Sequence, residues 1–184
     1  MIKVVEPKDH CYYRSRIDIF MQFLALQDNF YLSREELSKA TFIIAEKEAG
    51  DVYGGAILHK KYVSDLRGNI KKALLTVISE KAEVWSCTPF ICLEHHSLAH
   101  DKDKFVKTFY SELLKIFLEF GNHEKISFLC FRLNKDEYLR SMNAGGWSYA
   151  LQTKSKDSPD GFLYGILSLN GVKGEQYKRS QDAA

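Results

Sequence analysis

Between Val84 and Leu133 the chain runs through an apolar stretch, a long amphipathic stretch and a second apolar stretch, and this order constrains the fold more than any other feature. "AEVWSCTPFICLE" has the β-branched and aromatic content of a strand. "DKFVKTFYSELLKIFLEFG" places Phe105, Phe109, Leu113, Ile116 and Phe120 three or four apart, the spacing of one helical face, and Gly121 reads as its stop. "KISFLCFRL" is an uninterrupted apolar run, as expected of a strand covered on both faces. Two strands joined by a helix cross over, and a crossover of this kind makes them parallel. The first strand carries Pro89. Proline has no N–H for a ladder and belongs at an edge, a bulge or a splay.

The flanking segments read as antiparallel strands and helices. "IKVVE" is a short strand stopped by Pro7. After it, Tyr13, Ile17, Phe20 and Leu24, with Ile19, Phe23 and Leu26 alongside, have helical spacing. Ser33 precedes Glu36 by three, the capping-box spacing. "ATFIIAEKEAGDVYGGAILHKKYV" predicts two strands with a tight turn at "EAGD", and Gly54–Gly55 marks a bulge or a close backbone approach. "NIKKALLTVIS" fits a helix and a strand equally. "NKDEYLRSMNAGGW" predicts a short helix with Asn134 as N-cap and Gly145–Gly146 as its end. "SYALQTK" and "FLYGILSL" are closing strands. The expected fold class is α+β: a mixed, mostly antiparallel sheet with one parallel strand–helix–strand unit and helices on both faces. One domain is expected over residues 1–172, followed by a polar, disordered tail over 173–184.

Composition narrows the function classes. The 184 residues carry 26 basic and 24 acidic side chains, a net charge of +2, which names no polyanionic partner. No basic stripe with interleaved aromatics points to nucleic acid. The start lacks the apolar stretch of a signal peptide, and no apolar run approaches the roughly 18 residues of a membrane span. Cys11, Cys87, Cys92 and Cys130 are widely spaced, with no CxxC pair, and read as buried, reduced thiols of a cytoplasmic protein. Neither Cys87 nor Cys92 has a helical histidine partner in sequence for a nucleophilic role. His95, His96 and His100 share a loop without a cysteine, so no metal is expected.

Several short motifs resemble the GNAT acyltransferases, in particular the acyl-homoserine-lactone (autoinducer) synthases and the related N-acyl amino acid synthases. "RIDIFMQFLAL" supplies Arg16, Phe20 and Leu24 in register with R-x-x-x-F-x-x-x-L-G-W, with Ala25 and Leu26 in place of Gly and Trp. "GGAIL" resembles G-x-A-R-L with Ile57 where Arg stands. "WSCTPF" resembles W-E-L-S-R-F, keeping Trp85 and Phe90 but placing Ser86 and Pro89 at the Glu and Arg. "RSMNAGGW" supplies Arg140, Gly146 and Trp147 of R-x-x-x-x-x-G-W. The apolar frame is kept and the charged set is largely replaced.

The resemblance implies an acyl thioester co-substrate, carried by coenzyme A or an acyl carrier protein, and a small amine acceptor. It implies that the strand bearing Pro89 splays from its neighbour, so that Phe90, Ile91, Cys92 and Leu93 border a pantetheine slot. The following "EHHSLAHDKDK" has no glycine and carries Asp101 and Asp103, which suits a carrier protein better than a bare pyrophosphate. Lys102 and Lys104, with Lys107, could meet an acidic carrier or line the cofactor site. Glu94 and His95, just after the strand, and Glu36, near a family acidic position, are the candidates for proton transfer. Arg16, Phe20, Trp85, Phe128 and Trp147 are the candidate substrate pocket. Two readings follow: an N-acyltransferase, or a GNAT-like domain without catalysis that binds a ligand or a protein.

Overall fold

The computed structural model describes residues 1–28, 30–47, 50–76, 78–92, 102–133, 135–147, 151–152 and 163–169. Seven strands form one sheet: β1 (Ile2–Val5), β2 (Thr41–Glu46), β3 (Val52–Tyr62), β4 (Glu83–Cys92), β5 (Phe128–Leu133), β6 (Leu151–Gln152) and β7 (Leu163–Ser168). Their order is β1-β2-β3-β4-β5-β7-β6. The helices are α1 (His10–Asp28), α2 (Arg34–Lys39), α3 (Gly68–Leu74), α4 (Lys102–His123) and α5 (Lys135–Asn143). The expected mixed sheet is present: β4 and β5, joined through α4, pair in parallel, and the other strand pairs are antiparallel. No helix among the described residues is long and apolar enough to cross a membrane. Asn134 and the 173–184 tail lie outside the described residues.

Alternation along the strands sends side chains to two faces. On one, α4 buries Phe109, Tyr110, Leu113 and Phe117 against Trp85, Cys87, Leu129, Phe131 and Leu167. The centre of this stripe includes Tyr110 and Phe117, where the spacing argument put Ile116 and Phe120, which are only partly buried. The opposite face carries two clusters. One packs α1 residues Ile17, Phe20 and Leu24 on Phe42, Ile44 and Ile57. The other packs α3 residues Ile70 and Leu74 on Val84, Phe128, Cys130 and Ile166. Ile19 and Leu26, expected beside the buried α1 stripe, are 39% and 83% exposed, because the helix turns the three-four stripe of Ile17, Phe20 and Leu24 to the sheet and they lie off it.

Local signals account for several element ends. Ser33 caps α2 with the full reciprocal box to Glu36. The β2–β3 turn closes with Gly50 N–H donating to Lys47 O at 2.9 Å, and Gly50 takes φ +81°. The ambiguous segment after residue 67 is helical over α3. Gly121 does not stop α4, which runs on to His123, with the positive φ (55°) at Lys125. Gly121 is small because a Cβ there would press on Leu169.

Candidate active site

Pro89 lies where two ladders change together. The parallel register pairs Trp85 with Leu129, Ser86 with Cys130 and Cys87 with Phe131, and among the described residues it ends there. β4 continues to Cys92 in register with β3 alone. On that side Ala56 pairs with Phe90 and Leu58 with Cys87, so Thr88 and Pro89 together oppose the single residue Ile57. Two residues against one is a β-bulge, which bends the strand and ends pairing. Proline withholds a donor at just this point. Past Cys87, Phe90 to Cys92 pair with β3, and among the described residues no pairing of this stretch with β5 follows.

Directly paired residues share a sheet face. The chain of partners His59↔Ser86, Ser86↔Cys130 and Cys130↔Ile166 therefore crosses β3, β4, β5 and β7 on the face that carries α1 and α3. Arg132, two residues beyond Cys130, shares it. His59, Ser86 and Arg132 are each partly buried, and they form a polar seam between the two apolar clusters of that face. The His59–Ser86 pair lies two residues before the bulge. His59 has its pKa lowered from the usual 6.5, chiefly because burial disfavours the imidazolium; Lys61 adds to this and Glu36 opposes it.

On the other face, α4 and α5 flank an open pocket of about 520 Å³ lined by Asp103, Val106, Lys107, Leu139, Arg140, Asn143 and Ala144. Its size is that of small-molecule pockets. Lys107 and Arg140 give it two cationic groups and Asp103 one anionic group.

The candidate residues are distributed as follows. The backbone of Phe90, Ile91 and Cys92 borders the splay. Leu93, Glu94 and His95 lie outside the described residues. Lys102 begins α4, and Lys104 is exposed on its first turn. Glu36 is exposed on α2, where its carboxylate accepts from Ser33 N–H at 2.9 Å and Ser33 Oγ at 2.7 Å. These bonds lower its pKa, which suits a cap better than a proton acceptor.

The five expected pocket residues do not share one cluster. Phe20 stacks edge-on with Phe42 under α1. Phe128 lies under α3. Trp85 and Trp147 lie on the α4 face, Trp85 against Phe120 and Trp147 donating from Nε1 to Tyr110 O at 2.9 Å. Arg16 pairs with Glu46, at the end of β2, a partner the motifs did not indicate. Cys87 and Cys130 are buried, which pushes both thiols up, Cys130 to about 12; neither is a ready nucleophile. Cys11 is exposed on α1 where a buried thiol was expected, because position 11 lies off the stripe that meets the sheet. His59 was missed because it sits in "ILHKK", which reads as the frayed end of an apolar strand; only its pairing with Ser86 gives it a place.

No family model and no curated protein sequence matches the chain. Solved structures do. MesI, a CoA-dependent acyl-homoserine lactone synthase, superposes with a TM-score of 0.57 at 13% identity, over 99% of this chain and 95% of that one. FeeM, an N-acyl amino acid synthase from uncultured soil microbes, gives a TM-score of 0.56 at 13% identity, over 92% and 89%. BjaI, a CoA-dependent acyl-homoserine lactone synthase with SAM and isopentyl-CoA, gives 0.56 at 8% identity, over 98% and 88%. At such identities the likeness is one of fold. The chain has the GNAT acyltransferase fold, in the form taken by the acyl-homoserine lactone and N-acyl amino acid synthases.

Proposed function

We propose that the protein is an N-acyltransferase that moves an acyl group from a thioester to a small amine. The observation that carries this reading is the parting of β4 from β5 after Cys87, at the Thr88–Pro89 bulge. A thioester arm laid in that opening would find backbone groups of Pro89 to Cys92 that are not engaged by β5. N–H groups aimed at the thioester oxygen would stabilise the oxyanion of the tetrahedral intermediate. The α4–α5 pocket, with Lys107 and Arg140, is a suitable berth for the anionic end of the donor, a coenzyme A nucleotide or a carrier's phosphopantetheine. Two of the structural neighbours are named as CoA-dependent and one is described with isopentyl-CoA, which supports an acyl thioester as donor. The acceptor would approach from the opposite face, at the polar seam.

One observation favours binding without catalysis. Ile57, at a position where the resembling synthases carry arginine, is fully buried among Phe20, Phe42 and Ile44. Both readings are tested by incubating the purified protein with octanoyl-coenzyme A, or octanoyl-carrier protein, and a pool of amino acids and polyamines. N-octanoyl products by mass spectrometry support transfer. A retained thioester in native mass spectra with no acylated amine supports the binding module, and neither thioester binding nor product refutes both.

A further inference from the structure

We propose that His59 is the proton acceptor for the attacking amine. The assignment rests on the acyl-transfer reading and adds to it the group that the motif comparison does not supply, since no described carboxylate stands on the seam. His59 pairs directly with Ser86, one residue before the strand parts from β5, and projects to the face away from α4. A thioester in the splay presents its carbonyl between the strands, so an amine arriving from the α1 and α3 face meets the seam first. A general base must reach the amine proton directly or through one water, and the β3–β4 register sets the His59 imidazole beside Ser86, one residue before the last β4–β5 pair.

The charges around His59 fit this task. Lys61 follows on the same strand face, and Glu36 comes from α2; their effects on the imidazole oppose one another. Arg132 lies two strands away on the same face. His10 on α1 is held by Ala40, to whose carbonyl its Nε2 donates at 3.0 Å. Partial burial disfavours the imidazolium, so His59 is neutral and ready to accept at neutral pH.

The step balances without further reactants. His59 takes one proton from the ammonium, and the freed nitrogen lone pair attacks the thioester carbonyl carbon. The C–N bond forms, the C–S bond breaks, and the departing thiolate takes the second nitrogen proton. Products are the amide and the thiol, and the imidazolium releases its proton to water.

The test uses full-length protein with octanoyl-coenzyme A and the amine pool, following N-octanoyl products from pH 5.5 to 9. Wild type should show an acid limb in kcat/KM, and His59→Gln should lower kcat roughly 10²–10⁴-fold at pH 7. His59→Gln should also lose the His-dependent part of the limb while keeping thioester affinity. Product from His59→Gln at the wild-type rate, with an unchanged limb, would overturn the assignment and leave the acyl-transfer reading intact. No product from wild type at any pH would sink both. A measurement on wild type covers the case of a poorly folded variant. The His59 imidazole is titrated by NMR with and without the accepted amine. Its pKa should fall further when the ammonium binds beside it, and an unmoved titration would also overturn the assignment.

Discussion

Arg16 Nε donates to Glu46 Oε2 at 2.9 Å, while Lys3 Nζ holds the other oxygen of the same carboxylate. The Glu46 side chain is 3% exposed and Arg16 is 37% exposed, so the anion is buried and its cations reach it from the surface. Burial alone would raise the Glu46 pKa, but the bonds from Lys3 and Arg16 outweigh it and bring it below 4.5. A carboxylate with a lowered folded pKa stabilises the fold fully above its unfolded value, and that contribution fades as pH falls from 4.5 through the folded value. Glu46→Gln should cost about 2 kcal/mol at pH 7, less than for a pair buried at both ends, because its partners retain water. Urea titrations at pH 7 and at pH 3.5 check this. The variant's penalty should shrink at the lower pH, and an equal penalty at both would show that the charge is not what matters.

Gly55 permits β3 to pair closely with β2 beneath α1. A Cβ at this position would run into the carbonyl oxygen of Ile43 on the neighbouring strand and come within 3.2 Å of Phe20 Cζ. Backbone cannot yield as a side-chain tip can, so Gly55→Ala should destabilise by about 3 kcal/mol, the upper end for overpacking. Phe20→Leu should not rescue it, since the first obstacle is the Ile43 carbonyl. Thermal melts of the two single variants and the double would show this; rescue by the leucine would place the conflict at the ring instead.

Gly121 sits inside α4 against Leu169, with Leu169 Cβ 2.9 Å from the position of a Cβ on the glycine. Alanine gains about 1 kcal/mol over glycine in a helix interior. Here the crowding should reverse that sign, leaving Gly121→Ala about 1 kcal/mol less stable. In a Leu169→Ala background, which removes the nearest atom (Cδ1, 2.5 Å) but keeps the Cβ, the same substitution should cost less, a coupling of about 1 kcal/mol. Additive effects would mean that Leu169 is not what keeps the position small.

Gly121 also shows where sequence reasoning stops. A glycine after an amphipathic run signals a helix end by local chemistry, and the contact that explains it comes from Leu169, far along the chain. Local and periodic signals were legible for the same reason in reverse. The Ser33–Glu36 cap and the Pro89 bulge follow from a spacing or a missing donor within a few residues, and the parallel unit from the order of three periodic segments. The site was only half legible. The splay follows from Pro89, but the acceptor side depends on strand register. His59 meets Ser86 only because β3 and β4 pair as they do, and the Arg16–Glu46 pair joins residues thirty apart. The aromatic pocket failed to assemble because Phe20 and Phe128 face one side of the sheet while Trp85 and Trp147 lie on the other, a division that register decides.

The register bears on which amine can be accepted. Ile57, Ser86 and Pro89 stand where the resembling lactone synthases carry Arg, Glu and Arg. Ile57 has no exposed surface and packs in the α1 cluster; Ser86 stands beside His59; Pro89 is in the bulge. None carries a charge to oppose the carboxylate or the cationic centre of S-adenosylmethionine. Losing one partner of a desolvated charge contact costs about 2–5 kcal/mol, and two or three such losses slow a reaction by many powers of ten. With S-adenosylmethionine and octanoyl-coenzyme A or octanoyl-carrier protein, no homoserine lactone should form above the no-enzyme control. Ser86→Glu alone should not restore it, and Ile57→Arg should unfold the α1 cluster by burying an unpaired charge. Lactone detected by mass spectrometry from the wild-type protein would refute this. It would mean that the substrate's charges are met by residues such as Glu94 and His95, where alanine substitutions would then abolish it.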